Sequence, residues 1–187
     1  MGRTSTNGVE LFYEERNGGD PPIVFVHGWS CNHSFFAPQY DYLAGRHHVV
    51  ALDLRGHGDS EVPVDGYSFA TMADDVAGLC RALGLERPVL VGHSMGGAVT
   101  VELAARHRDL PRALVLVDPA PLDVTPDTGA LLEQFAAQLA GPDALEQRRR
   151  LVDELLFLPS DDPVVRAQVV AQMLQPPDHV ARQCFEA

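Results

Sequence analysis

One stretch decides how this chain folds: Pro88-Val89-Leu90-Val91-Gly92-His93-Ser94-Met95-Gly96-Gly97-Ala98-Val99. Its apolar start predicts a buried strand, and residues 98–105 are compatible with a helix that follows without a linker. Such an abrupt passage from strand to helix needs a sharp bend. Gly92 and Gly96 flank this bend because a Cβ at either position would collide with a neighbouring element. The Ser94 hydroxyl is therefore expected at the tip of the turn, beside a helix N-terminus that favours negative charge.

The composition is that of one soluble globular domain. The 187 residues are 45% hydrophobic and 21% charged, and a domain of this size can build a core without a disulfide or a metal. The three cysteines, Cys31, Cys80 and Cys184, lack the close spacing of a zinc site or a disulfide framework and are predicted to be buried free thiols. We therefore expect no metal and no cofactor.

Charge and hydropathy limit the classes of partner. The formal net charge of −12 disfavours a nucleic acid or an anionic membrane as partner. No apolar run approaches the roughly 20 residues of a membrane span, and the N-terminus lacks a basic-then-apolar signal. The sequence thus predicts a cytoplasmic protein that acts on a small molecule.

Strands and helices alternate over residues 1–120. Asn7-Gly8 between two strand-like runs predicts an antiparallel hairpin. A helix from residue 69, with Ser68 as its N-cap, is expected to stop at Gly84. Further strands are predicted at 23–26, 49–53, 89–91 and 113–118, and a further helix at 33–44. This alternation predicts an α/β fold with a predominantly parallel sheet, an N-terminal antiparallel hairpin and flanking helices.

The pattern changes after Pro119. Helices alone are predicted at 128–140, 143–157 and 162–174, separated by proline-containing breaks, and no strand is predicted before Ala187. We interpret residues 1–120 as a core of six strands and residues 121–187 as a helical cap or lid.

Three motifs occur in an order that is informative together: His27-Gly28-Trp29, then Asp53-Leu54-Arg55-Gly56-His57-Gly58-Asp59-Ser60, then Gly92-His93-Ser94-Met95-Gly96-Gly97. With them the chain resembles the α/β-hydrolase fold family, in particular its small esterases, cofactor-free perhydrolases and enol-lactonases. The resemblance implies Ser94 as nucleophile and the backbone N–H groups of Trp29 and Met95 as oxyanion donors. It implies hydrolysis of a carboxylic ester or lactone through an acyl-enzyme.

The chain departs from the family pattern at the base and the acid. The expected order is serine, acid, histidine, with the histidine on a loop after the last strand. His107 follows Ser94 along the same helix at roughly 20 Å, and so cannot be the base; His179 belongs to the predicted cap. Asp118 is either the acid or a residue that caps a strand end, and Asp123 is a second candidate acid.

The remaining histidines are given structural interpretations. His27 and His93 are expected to order the backbone of their motifs, and His57 to sit in a loop. The other three, His33, His47 and His48, are expected at the surface.

The last two strands of the family fold, with the loops that carry its acid and histidine, have no counterpart before Ala187. We therefore expect a C-terminally truncated chain, or a site completed from elsewhere. The strand 113–118 would then lie at an open sheet edge, which predicts self-association. Two other functions stay open: a non-catalytic binding or assembly module, and a lyase or carbon–carbon-bond hydrolase on the same scaffold.

Overall fold

The computed structural model describes residues 1–121 and 125–186. Six strands form one sheet: β1 Gly2–Thr6, β2 Val9–Arg16, β3 Ile23–Val26, β4 Val49–Leu52, β5 Val89–His93 and β6 Ala113–Val117. Their order across the sheet is β1-β2-β4-β3-β5-β6. Strands β3 to β6 are parallel, whereas β1 pairs antiparallel with β2 and β2 with β4. The predicted fold class is confirmed.

The hairpin and the first long helix begin and end as predicted. Asn7 and Gly8 have φ values of 49° and 76°, as a two-residue hairpin turn requires. Helix α2, Phe69–Ala82, begins after Ser68, whose hydroxyl accepts a hydrogen bond from the Thr71 backbone N–H at 3.2 Å. Gly84 follows the end of the helix with a φ of 63°. The turn and the two helix ends therefore lie where the local sequence predicts them.

The helices are α1 Ala37–Leu43, α2 Phe69–Ala82, α3 Met95–Arg106, α4 Pro126–Gln138, α5 Ala144–Leu155, α6 Pro163–Met173 and α7 Asp178–Gln183. The predicted helix at 33–44 is wrong in its first turn, which is a 3-10 helix, His33–Phe36, capped by the Asn32 side chain. Helix α7 was missed because Pro176-Pro177 reads as a break, although Pro177 is its N-cap.

The helical region, residues 125–186, packs directly on the sheet and its flanking helices. Val180 and Cys184 belong to the main hydrophobic core, together with side chains from the sheet, α2 and α3. Cys31 contacts a second cluster formed by Val152 of α5 and by α6. All three cysteines are buried and unpaired, as predicted. The division between core and cap at residue 120 stays a prediction. Helix α7, on the cap side of that boundary, contributes side chains to the main core.

A buried arginine ties the helical region together. Arg148 of α5 is 1% exposed and donates to the carbonyl oxygens of Pro176 at 2.7 Å and Leu174 at 2.8 Å. Asp178 lies 3.4 Å from the same guanidinium. These contacts fix α5 to the connection between α6 and α7.

None of the helices in the described ranges is long and apolar enough to cross a bilayer.

Strand β6 lies at one end of the sheet order. Its Val115, Leu116 and Val117 are 46%, 38% and 42% exposed. The outer edge of β6 pairs with no strand within residues 1–121 and 125–186. An apolar edge with free backbone groups is a template for pairing with another chain.

We propose that the 187-residue chain self-associates through β6. Val115→Arg should lower the associated fraction, because a charge on an edge strand opposes pairing. The control is Val64→Arg, at a side chain that is 84% exposed and far along the chain from β6. Sedimentation velocity over a concentration series checks both. A wild-type chain that stays monomeric at high concentration would contradict the proposal.

Candidate active site

The Ser94 turn joins β5 directly to α3. Ser94 has φ 51° and ψ −120° and stands at the N-cap position of α3. A non-glycine residue in this region stores about 1–3 kcal/mol of strain. The backbone around it holds the turn: the Ser94 N–H donates to the Val117 carbonyl at 3.1 Å, and its carbonyl accepts from Ala120 at 3.0 Å. The sharp bend predicted from the sequence is present.

Close backbone approach explains the glycines on both sides of the turn. A Cβ on Gly92 would overlap the Gly96 carbonyl oxygen, and one on Gly96 would overlap the Val26 carbonyl oxygen of β3. A Cβ on Gly28 would lie 3.2 Å from the Ser94 Cβ. The turn thus packs against β3 and the loop that follows it, which brings the Gly28-Trp29 segment beside Ser94.

Two backbone N–H groups near Ser94 have no acceptor among the described residues. Met95 is the first residue of α3, so its N–H has no acceptor within the helix. The Trp29 N–H donates to no group in the described ranges, although its neighbours do: Cys31 donates to Gly28 and Ser30 to His57. Trp29 and Met95 both line a cleft that contains Ser94. The arrangement offers hydrogen-bond donors to an anion formed at the serine.

Two buried histidines clamp the loop that carries Trp29. His27 donates through Nδ1 to the Gly28 carbonyl at 2.8 Å and accepts from the Leu54 N–H at Nε2, at 3.0 Å. His57 donates through Nδ1 to the Arg55 carbonyl at 2.9 Å and accepts from the Ser30 N–H at 3.3 Å. The interpretation of His27 as a residue that orders the backbone is confirmed, and His57 has the same role.

This clamp needs both rings to be neutral, because each ring accepts a hydrogen bond. Burial lowers the pKa of His57 to about 3, with the neighbouring His27 ring lowering it further. Burial also lowers the pKa of His27, against the opposing field of Asp53. The ring centroids are 5.1 Å apart. Protonation of either ring would remove an acceptor from the Trp29 loop.

Asp53 holds the loop that follows β4 in place. Its buried carboxylate accepts from the His33 N–H at 2.6 Å, the His33 ring at 2.8 Å and the Asp59 N–H at 2.8 Å. Burial raises its pKa, but these hydrogen bonds outweigh burial and the net pKa is lowered. The expectation that His33 lies at the surface is wrong, since it is half-buried against Asp53. His47 and His48 are also half-buried.

Two clefts meet at Ser94. The smaller one has a volume of about 120 Å³ and is lined by Trp29, Phe69, Met95, Leu132, Cys184 and Phe185. The larger one has a volume of about 400 Å³, and its walls include Phe35, His93, Asp118, Leu155, Val169 and Met173. Ser94 and Trp29 are the two residues that line both. We call them the small cleft and the large cleft.

Of the candidate acids and bases, Asp118 and His93 share a cleft with Ser94. Asp118 has a φ of 43° and its carboxylate accepts no hydrogen bond from the described residues, so no bond supports the turn-cap interpretation. No hydrogen bond within residues 1–121 and 125–186 involves the His93 ring, so nothing supports its expected backbone role. Burial lowers the pKa of His93, and Asp118 opposes that shift. Asp123 lies outside the described residues.

The two later histidines are held away from the serine. The His107 ring contacts Asp74 at 2.8 Å and Arg81 at 3.1 Å, beyond the last residue of α3. His179 contacts the Pro63 carbonyl at 3.2 Å. Neither lines the small or the large cleft. The described part of the chain therefore brings no histidine into hydrogen-bond contact with the Ser94 hydroxyl.

The Asp53–His33 contact and the His57 clamp are the parts of the site that sequence reasoning missed. A signal was present for the first, because a carboxylate directly after a buried strand needs nearby donors. No signal identified the ring contacts of His57, which join segments 27 residues apart.

Gly96→Ala tests the packing of the turn. The added methyl group meets the Val26 carbonyl, which cannot move without disturbing β3, so the free energy of unfolding should fall by about 1–3 kcal/mol or more. Gly45→Ala is the control, since nothing lies within 4 Å of its Cβ position. Chemical denaturation measures both. Equal stability of the two variants would contradict the close approach.

The clamp predicts a pH dependence. The pKa of His57 in the folded chain, about 3, is below its ordinary 6.5. The unfolded chain therefore binds more protons between these values, and the free energy of unfolding falls as the pH is lowered through this window. In His57→Gln the free energy of unfolding should depend less steeply on pH in this window. The slope should fall by up to about 1.4 kcal/mol per pH unit, because the variant lacks one titrating proton. His47→Gln is the control, and parallel curves for wild type and His57→Gln would refute the assignment.

Known proteins resemble this chain in both sequence and structure. YisY of Bacillus subtilis (strain 168), described as an AB hydrolase superfamily protein, is 42% identical over 116 residues, which cover 60% of this chain and 43% of that protein. A thermophilic esterase from Thermogutta terrifontis is 29% identical with a TM-score of 0.86, covering 97% of this chain and 70% of the other. The enol-lactonase from Burkholderia xenovorans LB400 is 29% identical, with a TM-score of 0.83 and coverages of 98% and 72%.

The chain spans about half the length, or less, of the first curated relatives that it matches. The family described as the alpha/beta hydrolase fold matches residues 21–159. Since this match spans well over half of the chain and agrees with the sheet order, the turn at Ser94 and the loops around it, the protein belongs to the alpha/beta hydrolase fold family.

Proposed function

We propose that the protein acts in the hydrolysis of carboxylic esters or lactones, with Ser94 as nucleophile and an acyl-enzyme as intermediate. The observation that carries the proposal is the position of Ser94. Its side chain stands on a strained turn at the N-terminus of α3, between two clefts and beside the free N–H groups of Trp29 and Met95. A hydroxyl so placed attacks a carbonyl whose oxygen points at those donors.

The chemistry divides into two displacements. The Ser94 Oγ bonds to the carbonyl carbon as its proton leaves, and the carbonyl π electrons move to the oxygen, where Trp29 and Met95 donate hydrogen bonds. The oxyanion collapses, the bond to the leaving oxygen breaks, and that oxygen takes a proton. Water then repeats the sequence on the acyl-enzyme and releases the acid. Donors fixed beforehand are worth about 3 kcal/mol each in such a step.

Similarity to named hydrolases supports this reaction class. Two of the related structures are described as an esterase and an enol-lactonase, and both names denote hydrolysis of a carbon–oxygen bond to an acyl group. The mostly apolar walls of the small cleft suit the hydrocarbon part of such a substrate.

The proton on Ser94 has no histidine to accept it among the described residues, so solvent takes it in this chain. Asp118 lines the large cleft and is the carboxylate that we propose as the acid of the site. A serine with its donors but without a base retains a rate on the order of 10³ above water. We therefore expect slow turnover of activated esters by this chain.

Covalent labelling tests the nucleophile directly. An alkyl phosphonate with a p-nitrophenol leaving group should add one phosphonyl mass to the chain, because its phosphorus mimics the carbonyl carbon and the N–H donors stabilise its oxygen. Ser94→Ala should abolish the added mass. Ser160→Ala, in an exposed turn, should leave it intact. Intact-protein mass spectrometry followed by peptide mapping reads both results.

A second candidate function is a binding module that keeps the clefts but performs no acyl transfer. The lack of a histidine in contact with Ser94 among the described residues favours it. Absence of labelling at Ser94 in the folded wild-type chain would select this module and exclude the hydrolase.

A further inference from the structure

Trp29 lines both clefts at Ser94. Its indole N–H donates to the Ala181 carbonyl of α7 at 2.8 Å, and its ring lies 4.8 Å from that of Phe185. Phe185 in turn lies 5.7 Å from the Phe135 ring of α4. The helical region therefore helps to hold the indole in place, at a residue that lines both the small and the large cleft.

The two clefts differ in chemistry as well as in size. Apart from Ser94, the small cleft is lined by apolar and thiol side chains, among them Leu132 of α4 and Phe185. The large cleft has more than three times the volume and includes the polar side chains His93 and Asp118. One side of the serine thus offers a short hydrocarbon pocket, and the other offers space and polar groups.

An ester places different demands on the two sides. The leaving oxygen carries negative charge until it is protonated or solvated, and it therefore belongs on the side with polar groups. The acyl chain gains most from dry apolar walls, at about fourfold for each methylene buried. An apolar cavity of about 150 Å³ accepts a benzene molecule. By the same measure the small cleft accepts an acyl chain of about four carbon atoms.

We propose that the small cleft receives the acyl group, that Leu132 and Phe185 limit its length to about four carbons, and that Trp29 directs the leaving group into the large cleft. This inference rests on the proposed function, because it assigns the two sides of the substrate of the same serine. It makes Leu132 a specificity-determining residue contributed by the helical region.

A series of p-nitrophenyl esters isolates the acyl side. The nitrophenyl group has more atoms than the small cleft accepts, so it must occupy the large cleft and leave the acyl chain in the small one. The acetate, butyrate, hexanoate and octanoate esters are compared by the rate of nitrophenolate release, after the release by Ser94→Ala is subtracted. In wild type the rate should rise about fifteenfold from acetate to butyrate, which adds two methylenes, and fall about tenfold by octanoate.

Leu132→Ala should move the optimum to hexanoate, since truncating this wall residue lengthens the cleft by about two carbons. Leu131→Ala is the matched control: Leu131 neighbours Leu132 on α4, but it lines a different groove, between α4 and α5, and is 47% exposed. The length profile of Leu131→Ala should equal that of wild type. Circular dichroism of both variants ensures that the folded chains are compared.

The outcomes separate this inference from the proposed function. If the phosphonate fails to label Ser94, the proposed function is wrong and the inference falls with it. If the phosphonate labels Ser94 but the esters react at one rate or not at all, or if Leu131→Ala shifts the optimum as much as Leu132→Ala, the assignment of the small cleft is wrong and the proposed function stands.

Discussion

The site depends on backbone atoms that approach more closely than side chains allow. The first turn of α3 lies against β5 at Gly92 and against β3 at Gly96, and Gly28 lies close to Ser94 from the other side. The contacts of Gly92 and Gly96 exclude a Cβ, so the strained φ of Ser94 is imposed by the packing of these segments and cannot relax locally. The same approach places the Gly28-Trp29 segment beside Ser94.

The Trp29 N–H is only as fixed as the loop that carries it, and that loop has no regular secondary structure of its own. Two neutral histidines supply the missing order by joining it to the segment after β4, and Asp53 anchors that segment in turn. Burial makes the arrangement self-consistent, because it keeps both rings in the uncharged form that accepts a hydrogen bond. Rigidity at the serine is thus obtained from polar groups that have no direct contact with it.

The sequence predicts what short-range physics determines and misses what depends on distant segments. The Asn7-Gly8 turn, the Ser68 cap and the fully apolar β3 follow from conformational and burial preferences of neighbouring residues, and each was predictable. Helix α7 was not, since its two prolines read locally as a break while Val180 and Cys184 join the main core. The position of Ser94 was predictable from its glycines, whereas the two clefts also have walls from the distant helical region, Leu132 and Met173 among them.

That dependence changes how the helical region should be understood. A cap that merely covered a finished pocket would leave the walls at the serine unchanged when it moved. Here the indole of Trp29, a residue that lines both clefts, is hydrogen-bonded to α7 and packed on Phe185. Arg148 holds the chain just before α7 with two carbonyl bonds. A shift of α7 would therefore alter both clefts together, which couples substrate fit to the packing of the helices.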